Sequence, residues 1–145
     1  MPRLKLDIPD QFNFTTVIPV RITDLNYGGH VGNDTILSLI HEARMQFLKH
    51  HGHSELNFGG IGLIMGDVAI EFKSELFYGD VVIASVVTAG ISKIGFELLY
   101  KLEKGTGDGK KLVAVAKTGM ICYDYQKKKI VAVPEEAREK LSIAR

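Results

Sequence analysis

Tryptophan is absent from the 145 residues, cysteine occurs once and proline four times. A single cysteine excludes an internal disulfide and fits a reducing compartment. Its surroundings, Gly119-Met-Ile-Cys-Tyr123, offer no acid or base to activate a thiol. Cys122 therefore reads as a buried strand residue rather than a nucleophile. The formal net charge is only +1, so no strong positive field argues for nucleic acid. No apolar run approaches the ~18 residues of a membrane helix. The opening Met1-Pro-Arg-Leu-Lys-Leu-Asp lacks the apolar stretch of a leader. The expectation is a cytoplasmic protein with neither nucleic acid nor membrane as partner. Repeats, linkers and low-complexity segments are missing too. Gly28, Gly29 and Gly32 lack the Gly-x-Gly-x-x-Gly spacing that opens the crossover helix of a dinucleotide site.

What is present suits one soluble domain over residues 1–145: 46% hydrophobic and 24% charged residues are globular values. Residues 14–23 have the β-branched content of a strand, and Pro19 marks it as an edge or bulged one. After a glycine-rich loop at 24–32, Asn33 is a good helix N-cap. Ile36, Leu39, Ile40, Ala43, Phe47 and Leu48 then recur at helical spacing to about His50. From residue 62 the period changes to two. Ile64, Val68, Ile70 and Phe72 give one strand, Val81–Thr88 follows the Tyr78-Gly-Asp80 turn, and Ile94–Leu102 alternates again. Gly-Thr-Gly-Asp-Gly at 105–109 links that strand by a hairpin to Lys111–Tyr123. Pro134-Glu-Glu suits the start of a short terminal helix. The order is strand, long helix, four strands: an α+β plan with one helix covering one sheet face. One helix covers a five-stranded sheet poorly, so self-association through sheet edges is expected.

The chemistry concentrates at 21–44, where Asp24, Asn26, His30, Asn33 and Asp34 crowd a glycine-rich loop before an apolar helix. Loops on a rigid scaffold are where ligand groups sit. The first N–H groups of a helix lack partners and carry the positive end of its dipole, so a carbonyl docked there is polarised. Thioester hydrolysis needs such donors, and a carboxylate or histidine to attack or activate water. Asp34 and Glu42 are the nearest helix carboxylates, and His30 is a candidate proton carrier.

This segment resembles the signature of the hotdog-fold acyl-CoA thioesterases of the 4-hydroxybenzoyl-CoA thioesterase type. That pattern is Arg-x-x-Asp-x-Asp, then Gly-His-Val-Asn-Asn, then a helix with Glu-Ala-Arg. The chain matches at Arg21, Asp24, Gly29, His30, Val31, Asn33, Glu42, Ala43 and Arg44. The resemblance implies an antiparallel five-stranded sheet wrapped around one long central helix. It also implies a homodimer or homotetramer with the site at a subunit interface, and an acyl-CoA substrate with no further cofactor. Two positions depart from the pattern. Asn26 stands where the family's usual catalytic aspartate does, and an amide cannot serve as that nucleophile or base. The second asparagine of the motif is Asp34. The run Asn-Tyr-Gly-Gly-His-x-Gly-Asn-Asp resembles a bacterial thioesterase-like subgroup. On this reading the carboxylate has moved to Asp34, while Asn26 orients water or the carbonyl. His30 carries a proton, and Glu42 is a second carboxylate candidate. Tyr27, Gly29 and Asn33 line the substrate.

Blander roles stand beside these. Asp34 in a first turn stabilises a helix by ~0.3–1 kcal/mol without any catalysis. Arg44 reads as structural, and Glu42 as a partner for Lys49 or Arg44. His41, His50, His51 and His53 give no zinc spacing, so no metal is expected. Asp24-x-Asn26 before His30 also resembles the Asp-x-Asn-Pro-x-His run of hotdog hydratases and dehydratases. Here Tyr27 replaces the proline and one residue is added. A non-catalytic acyl-thioester binding module is the third reading, motivated by Asn26.

Overall fold

The computed structural model describes residues 4–105 and 109–143; residues 106–108 of the expected hairpin loop lie outside them. The chain runs through β1 (Phe14–Pro19), α1 (Asn33–His50), β2 (Gly62–Phe72), β3 (Val81–Ile91), β4 (Gly95–Lys104), β5 (Lys111–Asp124), β6 (Lys129–Ile130) and α2 (Glu135–Ile143). The sheet order is β1-β3-β4-β5-β2, with every pairing antiparallel. β6 is a two-residue addition against the end of β5. The five expected strands are therefore joined by a sixth, because the Asp124 carboxylate takes the Gln126 and Lys127 N–H groups and turns the chain back on itself.

β1 stops earlier than its composition suggests. Pro19 is its last residue, opposite Val81, and Ile22–Asp24 forms a 3-10 turn instead of continuing the strand. The Asp24 carboxylate accepts the Arg21 N–H at 2.8 Å, a local bond that competes with the ladder. The helix start also differs by one residue. Gly32 is the N-cap, in extended conformation, and Asn33 is already helical. The Val31 N–H is bonded to Leu76 O, which holds the chain extended up to Gly32 and leaves Asn33 no capping position.

α1 buries Ile36, Leu39, Ile40, Ala43, Phe47 and Leu48 against the sheet. The facing side chains are Val82, Ala84 and Val86 of β3, with Leu98, Tyr100 and Leu102 of β4. Each fully buried Leu, Ile, Val or Phe contributes roughly 1.5–3 kcal/mol. Cys122 lies in this core as a free thiol, and burial pushes its pKa up to about 11. α2 closes one end of the core through Ala137 and Leu141. No described helix is long and apolar enough to cross a membrane.

The core contains one polar network. The buried Arg44 donates from Nε to Glu55 at 3.1 Å and from Nη1 to the Tyr100 hydroxyl at 3.4 Å. Tyr100 in turn shares a 2.7 Å hydrogen bond with Thr118. Burial raises the Tyr100 pKa, with Arg44 and Thr118 opposing that rise. The structural role expected of Arg44 is thus filled by Glu55, not by Glu42.

Candidate active site

The loop before α1 is a small hairpin held by its own backbone. Asn26 N–H donates to His30 O at 2.9 Å, Gly29 N–H donates to Asn26 O at 3.1 Å, and Leu25 bridges Val31. Gly29 turns the chain with φ of +79°, a conformation that side-chain-bearing residues rarely adopt. The returning arm is pinned to the segment before β3, since His30 bridges Phe77. Tyr27, at the hairpin tip, is fully exposed.

Asn26 is oriented by the turn it belongs to. Its side-chain oxygen accepts the Gly28 N–H at 2.9 Å, an Asx turn that sends the amide nitrogen the other way. A methyl group built on Gly28 would stand 3.3 Å from both Asn26 Oδ1 and His30 Nε2. One built on Gly32 would stand 2.8 Å from Asp34 Oδ1 and 3.6 Å from Asn26 Nδ2. The Asn26 amide therefore lies between the imidazole and the carboxylate, its oxygen on the His30 side and its nitrogen on the Asp34 side. Gly28 and Gly32 leave the space that lets these side chains converge.

His30 is half-buried. Its Nδ1 lies 3.3 Å from Val31 O; a carbonyl only accepts, so Nδ1–H is the donor of this bond. Nε2 lies 3.9 Å from Glu75 Oε1. At the helix start the Thr35 and Ile36 N–H groups both reach Gly32 O at 3.1 Å. The Asn33 and Asp34 N–H groups have no partner among the described residues, leaving two donors at the positive end of the dipole. A cleft of 230 Å³ opens beside Asn33, lined by His30, Asn33, Ile36, Phe72, Lys73 and Glu75, with Asn26 and Asp34 outside its lining.

Glu42 is not part of this group. It lies eight residues along α1 from Asp34, a rise of about 12 Å, and accepts a 2.8 Å bond from Gln46. Gln46 bonds Thr16 of β1, so Glu42 belongs to a cleft with Phe14, Lys49 and His50. Asp24 is buried and closes the 3-10 turn. Asn33 has surrendered the cap to Gly32 but presents a free N–H. Among the described residues no three His, Cys, Asp or Glu side chains are placed to hold a metal ion.

Sequence reasoning missed one arrangement near α1. His41 Nε2 bonds Glu55 Oε1 at 2.5 Å, and the same carboxylate is held from the core side by Arg44. The pair borders a cleft of 460 Å³ with Met45, Leu56, Leu63 and Tyr125. Glu55 sits in a polar connection after the helix, where no local pattern announces its partners.

Residues 20–141 match the family model of the thioesterase-like superfamily. The chain belongs to that superfamily. No curated protein matches it. Among solved structures, a thioesterase-superfamily protein from Jannaschia sp. has a TM-score of 0.80 at 17% identity, over 92% of this chain and 83% of its own. A thioesterase from Thermus thermophilus, solved with coenzyme A and zinc, has a TM-score of 0.75 at 19% identity, over 94% and 97%. A 1,4-dihydroxy-2-naphthoyl-CoA thioesterase from Synechocystis has a TM-score of 0.75 at 21% identity, over 89% and 95%. At these identities the likeness shows the fold alone, here an α+β arrangement of an antiparallel sheet and helices.

Proposed function

We propose that this chain is an acyl-CoA thioesterase that hydrolyses its substrate to a free acid and coenzyme A. The observation that carries the reading is the Asn26 amide set between His30 and Asp34, next to two unpartnered N–H groups at the start of α1. In this reading the thioester carbonyl oxygen docks on the Asn33 and Asp34 N–H groups, which stabilise the oxyanion as water adds. Asp34 accepts the proton of the attacking water. Asn26 Nδ2 lies on the Asp34 side of the turn, where it would donate to the attacking water or the carbonyl, and, being an amide, takes no proton itself. His30 relays a proton at the cleft mouth, while Tyr27 and Gly29 meet the pantetheine arm. The coenzyme A bound to the Thermus thermophilus relative supports the choice of carrier.

The test is thiol release from short, long and aromatic acyl-CoAs by the wild type and Asp34→Asn. A loss of about 100-fold in turnover is expected for the removal of one base. Undiminished release would remove Asp34 from the mechanism. A second reading, a non-catalytic acyl-thioester binding module, is favoured by the missing carboxylate at Asn26. It requires saturable acyl-CoA binding by the wild type with no thiol release at any acyl length.

A further inference from the structure

The connection from β2 to β3 is irregular, yet it is tied down along its length. The Lys73 and Ser74 N–H groups donate to Val113 O at 2.8 and 3.2 Å. The Ser74 hydroxyl donates to Leu112 O at 2.7 Å, and Lys104 Nζ donates to Glu75 O at 2.6 Å. Leu76 is fully buried, and its carbonyl takes the Val31 N–H. The Phe77 N–H donates to the Asp80 carboxylate at 2.8 Å. Glu75 therefore stands on a fixed backbone, beside the contacts that join this stretch to the hairpin carrying His30.

Glu75 lines the same cleft as His30 and Asn33. The cations nearest in the fold are engaged elsewhere: Lys73 bonds Glu71, and Lys104 bonds Asp80. The ion-pair partner of the Glu75 carboxylate is His30, 3.9 Å away at Nε2. His30 Nδ1–H is committed to Val31 O, so a second proton on the ring can sit only on Nε2, facing Glu75. At 3.9 Å the carboxylate attracts that proton without taking it into a hydrogen bond. The proton stays available to a third group that enters the cleft. The Phe77 ring meets the imidazole edge to face, with 6.4 Å between centroids, and supports its orientation. An exposed ion pair adds little to stability, so the worth of Glu75 lies in what it does to His30.

We propose that Glu75 is a positioning residue of the candidate site, holding the His30 imidazolium toward the cleft so that Nε2 protonates the departing sulfur. This rests on the thioesterase reading above and gives the proton carried by His30 its destination. Water bonds to the thioester carbon while Asp34 takes its proton. The carbonyl re-forms as the C–S bond breaks, the sulfur leaves with the bonding electron pair, and it takes the Nε2 proton of His30. Solvent then carries the proton on Asp34 back to His30. The products are one acid and one thiol.

The experiment compares two leaving groups in wild type, His30→Gln and Glu75→Gln, each variant checked for wild-type melting. Coenzyme A departs as an alkyl thiolate, which is helped by a proton; thiophenolate is a weaker base and departs without one. With the best acyl-CoA of the panel above, His30→Gln is expected to lose about 100-fold in kcat and Glu75→Gln about 10-fold, at unchanged KM. With the thiophenol ester of the same acid, both variants should stay within about two-fold of wild type, because no general acid is needed there. Glu75→Gln that turns over acyl-CoA at the wild-type rate overturns the inference and leaves the thioesterase reading standing. So does an equal loss on both esters, or a lowered melting temperature in Glu75→Gln, since the role of Glu75 is then structural. Wild type that releases no thiol from any ester overturns both.

Discussion

The two ends of α1 are both rich in polar side chains, and they have opposite fates. At the start, Asn26, Tyr27 and Asp34 are exposed, and two backbone N–H groups are left for a ligand. At the end, His51 N–H bonds back to Leu48 O at 3.0 Å and His53 N–H to Leu48 O at 2.8 Å. The His51 ring packs on Phe47 and the His53 ring on Phe58, each at 4.7 Å between centroids. Their Nε2 atoms are buried with no partner among the described residues. A density of polar residues therefore does not mark a site. Accessible, unsatisfied groups beside small residues do, whereas aromatic neighbours convert histidines into core.

The largest effect should come from the buried network between these ends. Arg44→Met removes the cation that holds Glu55 and should cost about 3 kcal/mol in urea unfolding. A loss below 1 kcal/mol would mean that Glu55 is solvated rather than held. Asp34→Asn comes next, with its roughly 100-fold fall in turnover, or about 2.7 kcal/mol of barrier, and an unchanged urea midpoint. A large drop in that midpoint would instead give the start of α1 the structural character of its end.

A smaller effect is expected from acid. Burial lowers the pKa of His51, followed by the charge of His50. Burial also lowers His53, followed by the charge of Lys140, with Glu136 opposing. Both rings fold neutral while the unfolded chain takes protons near the ordinary value of 6.5. Their contribution is complete above pH 6.5 and is lost as the pH falls from there toward the folded values. Urea midpoints should therefore drop between pH 7.5 and pH 5.5, less steeply in His53→Phe. An identical slope in that variant would acquit His53. The smallest stability effect is at the hairpin tip: Tyr27→Ser should stay within about 0.5 kcal/mol of wild type while raising KM for acyl-CoA. An unchanged KM would take Tyr27 out of the substrate path.

The element plan was legible because it depends on local periodicity. The alternation from residue 62 onward marks β2 to β5, and the apolar stripe from Ile36 to Leu48 marks α1. Boundaries escaped where a single bond decides them. Asp24 folding onto Arg21 ends β1 early, and Val31 bonding to Leu76 moves the helix cap to Gly32. At the candidate site, the crowding of Asn26, His30 and Asp34 could be read from spacing, since all three lie within nine residues of a glycine-rich turn. Glu42 was drawn in by the same proximity, yet eight residues of helix carry it to another cleft. The union of Arg44, Glu55, Tyr100 and Thr118 spans three elements and a connection. Nothing local encodes it, because each residue alone fits an ordinary helix, loop or strand.

The buried sulfhydryl of Cys122 simplifies every enzymatic assay suggested above. With its proton held until about pH 11 and a wall of packed side chains around it, it reacts slowly with colorimetric disulfide reagents. Chromophore formed in a cuvette of native protein then counts coenzyme A alone. A first turnover can be titrated against active sites without blocking or mutating the chain.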